Sequence, residues 1–377
     1  MSATAAAIFL RRIPALVPLC VAACLAVPCL ARAGEVNDII KMKAGNVIPG
    51  SITDETYEFI SYTGGGGAAG KVRQCEVESV QWGDRPDHFN AAEAARARGE
   101  FEEAIVRYEK AVKSPLGRKF YLEPYCTYYV GLCYQHLGKL EEAEKGFRKL
   151  IKDYPSAKFF PLANIALGEM LMTQQQYDKA IECFSVVGKA VDANLGRPTF
   201  CEDIFFTARL RATDALVGKK DYPAALAELD GLIREAERSY PEISLDALRS
   251  KAVVLVLQQK TNEALKIYRD IIDKSVKEMQ GAIADRETKL SVIVAQCYNG
   301  VGEAYLANGS KHKEALMEFL RVVTVLGAAV GNEYPRAVVG AIKCFDALGQ
   351  KDRARDLLAE VKRDYPGYPG VKSLNLK

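Results

Sequence analysis

Histidine is almost missing from this chain, with only His88, His136 and His312 among its 377 residues. They stand far apart and have no cysteine or carboxylate neighbour at ligand spacing, so neither a metal centre nor a catalytic triad is expected. His-Glu-x-x-His and Gly-x-Ser-x-Gly are absent. Carboxylates are abundant, but pairs such as Glu102-Glu103 and Glu141-Glu142 head helical stretches, where the backbone dipole favours them on a solvated face. The reading is therefore non-catalytic, with no cofactor and no metal expected.

Acid is missing from the first 33 residues. They run from Arg11-Arg12 through the apolar IPALVPLCVAACLAVPCL to Ala31-Arg32-Ala33. A basic start, an apolar middle and a small-x-small end are the parts of an export signal, with cleavage expected after Ala33 and residues 1–33 removed. Net charge is then missing too. Without Arg11, Arg12 and Arg32 the chain has 48 bases against 48 acids, which leaves no electrostatic footprint for nucleic acid. A cysteine framework is also lacking. Outside Cys20, Cys24 and Cys29 of the leader stand Cys75, Cys126, Cys133, Cys183, Cys201, Cys297 and Cys344, an odd set with no Cys-x-x-Cys. Cys133 and Cys344 each precede an aromatic, Tyr134 and Phe345, and read as small buried hydrophobes. One bridge in an oxidising compartment stays open, and the sequence does not say which.

What is present is a phrase repeated seven times: an alanine, an aromatic or leucine four residues on, and an apolar residue three beyond that. The copies are Ala104/Tyr108/Ala111, Ala143/Phe147/Leu150, Ala180/Phe184/Val187, Ala225/Leu229/Leu232, Ala264/Tyr268/Ile271, Ala315/Phe319/Val322 and Ala354/Leu358/Val361. Steps of four and three put all three side chains on one helical stripe, the buried face of an amphipathic helix. The alanines are 39, 37, 45, 39, 51 and 39 residues apart, which implies stacked helical units with longer helices or loops at the wide steps.

In the second unit a preceding helix completes the pattern, with Gly131, Tyr134, Gly138, Ala143, Phe147 and Pro155 in order. This grammar resembles the tetratricopeptide repeat: Gly131 and Ala143 where two helices cross, Gly138 in the turn, Pro155 where the second helix stops. Unit six carries Gly302, Tyr305, Gly309, Ala315 and Phe319; unit seven keeps Phe345, Gly349, Ala354 and Pro366. Units one, four and five match mainly in their second helices. The run from Phe147 to Phe184 is similar to exported repeat proteins of the Gram-negative envelope, the lipoprotein subunit of the outer-membrane β-barrel assembly machine and the periplasmic partner of the Tol-Pal system. The resemblance implies a mainly α solenoid of about seven helical pairs over residues 86–370, acting as a protein-binding scaffold or adaptor of the cell envelope, or as an assembly factor for outer-membrane or peptidoglycan machinery. Val21-Ala22-Ala23-Cys24 also resembles a lipobox, although Leu25 to Leu30 continue apolar beyond it. Lipidation at Cys24, and an uncleaved anchor weakened by Pro14, Pro18 and Pro28, both remain open, and only these imply membrane contact.

Residues 35–83 differ in composition. Short alternating runs separated by turns predict strands at 36–43, 46–53, 56–63, 70–75 and 77–82, with a bulge at Gly50 and a flexible hairpin tip at Gly64 to Gly67. Five bent strands in so few residues suggest a small barrel, and Met42 to Ile52 resembles the first hairpin of SH3-like and Sm-like barrels. Such a module at the end of a solenoid is expected to be a separate contact point that the helices do not need.

In repeat proteins of this kind the first helix of each pair lines a concave groove for protein segments. The resemblance carries that role onto Tyr128, Leu132, Gln135, Ile165, Glu169, Leu210, Asp214, Arg249, Val253, Asn299 and Glu303. The lysine, asparagine and arginine set that clamps a C-terminal carboxylate in some relatives is not at matching positions. The tyrosines Tyr121, Tyr125, Tyr128, Tyr129 and Tyr134 tempt a binding hot-spot reading, though Tyr134 matches a packing position. Expressed in a Gram-negative host, the mature protein is expected to begin at Gly34 by intact mass; a retained Met1 or a lipid on Cys24 would contradict cleavage.

Overall fold

The computed structural model describes residues 38–192, 197–309, 311–372 and 374; the leader, with the expected cleavage and lipidation sites, lies outside them. The chain opens with five strands, β1 (Asp38–Met42), β2 (Val47–Glu55), β3 (Phe59–Thr63), β4 (Ala69–Arg73) and β5 (Val77–Gln81). They form one antiparallel sheet in the order β4-β3-β2-β1-β5. The sheet is open, with β4 and β5 at its edges and no ladder joining them among the described residues, which corrects the closed barrel expected from the sequence. The bulge is also displaced. Register slips between Ile52 and Asp54, whereas Gly50 pairs regularly with Asp38 and is needed for close approach: a Cβ there would lie 2.6 Å from the Thr63 carbonyl oxygen. The glycine tip forms as expected, with Gly66 and Gly67 both at φ +83°.

Fourteen helices follow as seven antiparallel pairs: α1 (Asp87–Ala97) with α2 (Phe101–Val112), α3 (Lys119–His136) with α4 (Leu140–Asp153), α5 (Phe160–Thr173) with α6 (Tyr177–Gly188), α7 (Glu202–Gly218) with α8 (Tyr222–Ala236), α9 (Pro241–Leu257) with α10 (Thr261–Met279), α11 (Ala284–Ala307) with α12 (His312–Arg321), and α13 (Glu333–Ala347) with α14 (Lys351–Asp364). A short α15 (Pro369–Lys372) packs on the last pair. The wide repeat steps have two sources. The step of 45 contains a two-residue-strand hairpin, β6 (Val191–Asp192) with β7 (Arg197–Pro198), and the step of 51 reflects the long α10 and α11.

All seven anchor alanines are fully buried, and so are Tyr108, Phe147, Phe184 and Leu229, which follow four of them. The reason is visible at the glycines. A Cβ on Gly131 would lie 2.8 Å from the Phe147 ring, on Gly168 2.5 Å from Phe184, and on Gly302 2.6 Å from Phe319. Each ring occupies the space that its own first helix leaves empty. Phe319 also closes on Gly340 of α13, and Tyr268 on Gly300 of α11, so the ring joins its pair to the next. The apolar interior is a chain of local clusters, as expected where each unit touches only its neighbours.

Every pair turns through one residue in left-handed backbone: Gly99, Gly138, Gln175, Lys220, Gln259, Gly309 and Gly349. The hydrogen bonds recur with it. Gly138 N–H donates to Gln135 and Lys139 N–H to Tyr134, while Gln259 N–H donates to Val256 and Lys260 N–H to Leu255. Units three to five thus make the same turn without glycine, which hides them from a glycine-based pattern.

The sheet is not a detached end piece but packs against the first helical units. Ile40, Ile52, Ile60, Val77 and Trp82 share one core with Phe89, Tyr108 and Tyr121. Asp38 is fully buried and accepts from Ile52 N–H (2.7 Å), Gly83 N–H (2.9 Å) and Arg118 Nη2 (2.7 and 2.8 Å). Arg118 also donates to the Ile52 carbonyl and to Asp84, and Trp82 stacks on Tyr121 at 3.7 Å. A second seam runs from Tyr57 N–H to the Ser156 carbonyl and from Lys158 to the buried Glu55 at 3.1 Å.

Arg118→Ala leaves a buried carboxylate without its cation, so a loss of about 3–5 kcal/mol in denaturant unfolding is expected; a loss under about 1 kcal/mol would mean the joint is dispensable. At the turns, Gln259→Gly should stabilise by about 0.5–1 kcal/mol and Gly138→Ala destabilise by about 1–2 kcal/mol, since only glycine is at ease at positive φ. Paired unfolding curves check the opposite signs.

Candidate functional site

The first helices of successive pairs pack on one another from α5 through α7, α9 and α11 to α13. A stacked layer whose members stay in contact along its length is the short side of the curve, so these helices form the inner wall. Their faces carry most of the residues named from the sequence.

The structure divides those residues into three groups. Tyr128 and Leu132, half-buried on α3, and Ile165, buried on α5, belong to the interior. Tyr128 stacks on Phe159 with centroids 4.9 Å apart, and burial pushes its hydroxyl up to about 12. The tyrosine cluster follows the same rule: Tyr121 is buried against Trp82, while Tyr125 and Tyr129 pack on Phe159, so the hot-spot reading is corrected to internal packing. Asn299 is fully buried and also leaves the groove set. Its amide donates to the Glu333 carbonyl (3.0 Å) and carboxylate (2.8 Å), tying α11 to the start of α13, while its Oδ1 has no partner. Gln135, Leu210 and Val253 are half-buried and make no polar contact that fixes them.

Glu169, Asp214, Arg249 and Glu303 form the third group, a half-open polar ladder. Glu169 of α5 meets Arg211 of α7 at 2.9 Å, and Glu303 of α11 meets Arg336 of α13 at 2.7 Å. Arg211 also reaches Asp214 at 3.2 Å, Arg249 reaches Asp246 at 3.4 Å, and Arg336 reaches Glu333 at 3.1 Å. Glu169, Asp214 and Glu303 share one register, six residues before the left-handed turn residue of their own units, namely Gln175, Lys220 and Gly309. Arg211, Asp246, Glu333 and Arg336 escaped the sequence reading; the available signal was that recurring acid, which needs a cation from the next first helix.

Asp214 keeps 43% of its side-chain surface open to water, yet the protein around it raises its carboxyl above the ordinary 3.8. Arg211 and Arg249 oppose that rise and Asp246 adds to it. Elsewhere, a cleft of about 420 Å³ between α2, α3 and α4 is lined by Val112, Val130 and Lys149, with no convergent polar set. Among the described residues no group of three histidine, cysteine or acidic side chains is placed to hold a metal, and no helix is long and apolar enough to cross a membrane. His136 stacks on Phe101 at 4.6 Å.

Comparison with known proteins agrees with this architecture. A family model described as tetratricopeptide repeat matches residues 125–157 and 337–368, the second and seventh units. A tetratricopeptide repeat protein from Parabacteroides merdae ATCC 43184 superposes with a TM-score of 0.53 at 14% identity, covering 76% of this chain and 95% of that one. The apo quorum sensor NprR from B. thuringiensis gives 0.50 at 14% identity, covering 73% and 74%. A protein ST7 homolog of Drosophila pseudoobscura pseudoobscura is 28% identical over 168 residues, 41% of this chain and 29% of that protein. The chain therefore spans less than a third of the curated relative it matches. Two units thus match the tetratricopeptide repeat, and the helices form a solenoid of that fold.

Because the folded state holds the Asp214 proton more tightly than the unfolded chain does, ionising Asp214 costs stability as pH rises above 3.8. Asp214→Asn is expected to be slightly more stable than the parent at pH 7, by less than about 1 kcal/mol, with the advantage fading as pH falls through 3.8. Unfolding midpoints across pH check this; a variant less stable at pH 7 and equal at low pH would reverse the sign.

Proposed function

We propose that this tetratricopeptide-repeat solenoid is a non-catalytic scaffold that binds a protein segment along its inner wall and works in the bacterial cell envelope. The observation that carries the binding reading is the half-open ladder of Glu169, Arg211, Asp214, Arg249, Glu303 and Arg336 along consecutive first helices. Such side chains are already ordered and partly desolvated, so a segment laid along them exchanges existing ion pairs for new ones at little entropic cost. The quorum sensor with a similar fold is one precedent for a sensing role on this architecture. The envelope placement is supported by the acid-free basic, apolar and small-residue leader.

Acids exceed bases on this ladder, since Asp246 and Glu333 join Glu169, Asp214 and Glu303 against three arginines. A segment with basic character fits it best. Capture from envelope extract, read by mass spectrometry, is expected to fall at least tenfold for Glu169→Lys combined with Glu303→Lys. Glu103→Lys on α2, whose partner is Arg107 on the same helix, should keep it. Unchanged capture by the inner-wall variant, with unchanged helical circular dichroism, would place binding elsewhere.

A further inference from the structure

Four of the described cysteines, Cys126, Cys133, Cys297 and Cys344, are buried, while Cys75, Cys183 and Cys201 are partly exposed. Two of the exposed three meet. Cys75 lies in the 3-10 turn between β4 and β5, and Cys201 is the residue on which α7 begins. Far apart in sequence, their thiols stand within side-chain hydrogen-bond reach of each other. The approach is held from both sides. Arg73, two residues before Cys75, pairs with Glu202 at 3.9 Å, and Tyr57 of the sheet packs on Phe200 with ring centroids 4.7 Å apart. Phe200 and Glu202 flank Cys201, so the backbone on each side of it is already docked on the sheet. Tyr240 packs on Phe206 of α7 with ring centroids 5.0 Å apart.

We propose that Cys75 and Cys201 are a disulfide site, a covalent latch between the sheet and the fourth helical pair that closes when the chain meets a disulfide oxidant. One thiol, losing its proton, attacks the oxidant disulfide and displaces one of its sulfurs as a thiol. The second protein thiol, also losing its proton, then attacks the mixed disulfide. The Cys75 Sγ–Cys201 Sγ bond forms, the second oxidant thiol leaves, and two electrons and two protons have passed from protein to oxidant. Burial, followed by the neighbouring Cys75, pushes the Cys201 thiol up to about 12, so Cys201 rests as a thiol until an oxidant arrives. The bond would matter because the ion pair and ring contact at this seam are weak holds, and a bridge across a long loop removes much of the freedom of the open chain.

The test treats the purified chain with oxidised glutathione, blocks free thiols with iodoacetamide and maps the unreduced digest by mass spectrometry. A cross-linked peptide pair joining Cys75 to Cys201 is expected, lost on reduction. In Cys75→Ser the link should vanish and Cys201 should carry glutathione, with the helical circular dichroism of the parent showing that the fold is intact. Separate glutathione adducts on Cys75 and Cys201 of the parent, with no cross-link, would overturn the proposal. So would a bond from either residue to Cys183.

Discussion

The helical part depends on aromatic rings that lie where a neighbouring first helix offers no Cβ. Phe147 over Gly131, Phe184 over Gly168 and Phe319 between Gly302 and Gly340 bring helix axes closer than any larger pair would allow. The buried alanine one turn before each ring completes the crossing. Dispersion and burial at such a contact are large because the ring is enclosed on every side, and any added methylene is felt at once. Phe319 also meets Gly340, and Tyr268 meets Gly300, of the following unit, so there the geometry within a pair also sets how pairs stack.

The inner wall follows from that stacking. First helices held close in sequence bring an acid of one unit within reach of an arginine of the next, as at Glu169–Arg211 and Glu303–Arg336. These half-exposed pairs add little stability. Their significance is that they give the concave side fixed, polar, partly desolvated groups. The sheet is bound by different chemistry. Asp38 is a buried carboxylate whose two oxygens both accept, and Arg118 pairs with it while donating to the Ile52 carbonyl, which fixes the position of the sheet on the first units.

The helical fold was legible because its signal is periodic: seven stripes of alanine, ring and apolar residue led directly to seven pairs. Where the pattern weakened, the backbone did not. Gln175, Lys220 and Gln259 take the same left-handed turn as Gly138, a conformation that side-chain identity alone does not announce. The site was legible only in part. Register placed Glu169, Asp214 and Glu303 on the inner wall, but it could not separate them from Tyr128, Ile165 and Asn299, whose burial comes from the long-range neighbours Phe159 and Glu333. The open sheet and the Asp38–Arg118 joint are likewise set by contacts between residues distant in sequence, 80 positions apart at the joint.

A double-mutant cycle at Gly168 and Phe184 tests the wedge most directly. Gly168→Ala alone is expected to destabilise by about 1–3 kcal/mol, because its new methyl group meets the ring. In a Phe184→Leu background, where the ring is gone, the same change should cost nothing or stabilise, through the better helix propensity of alanine. A Gly168→Ala cost that is the same in both backgrounds would contradict the account.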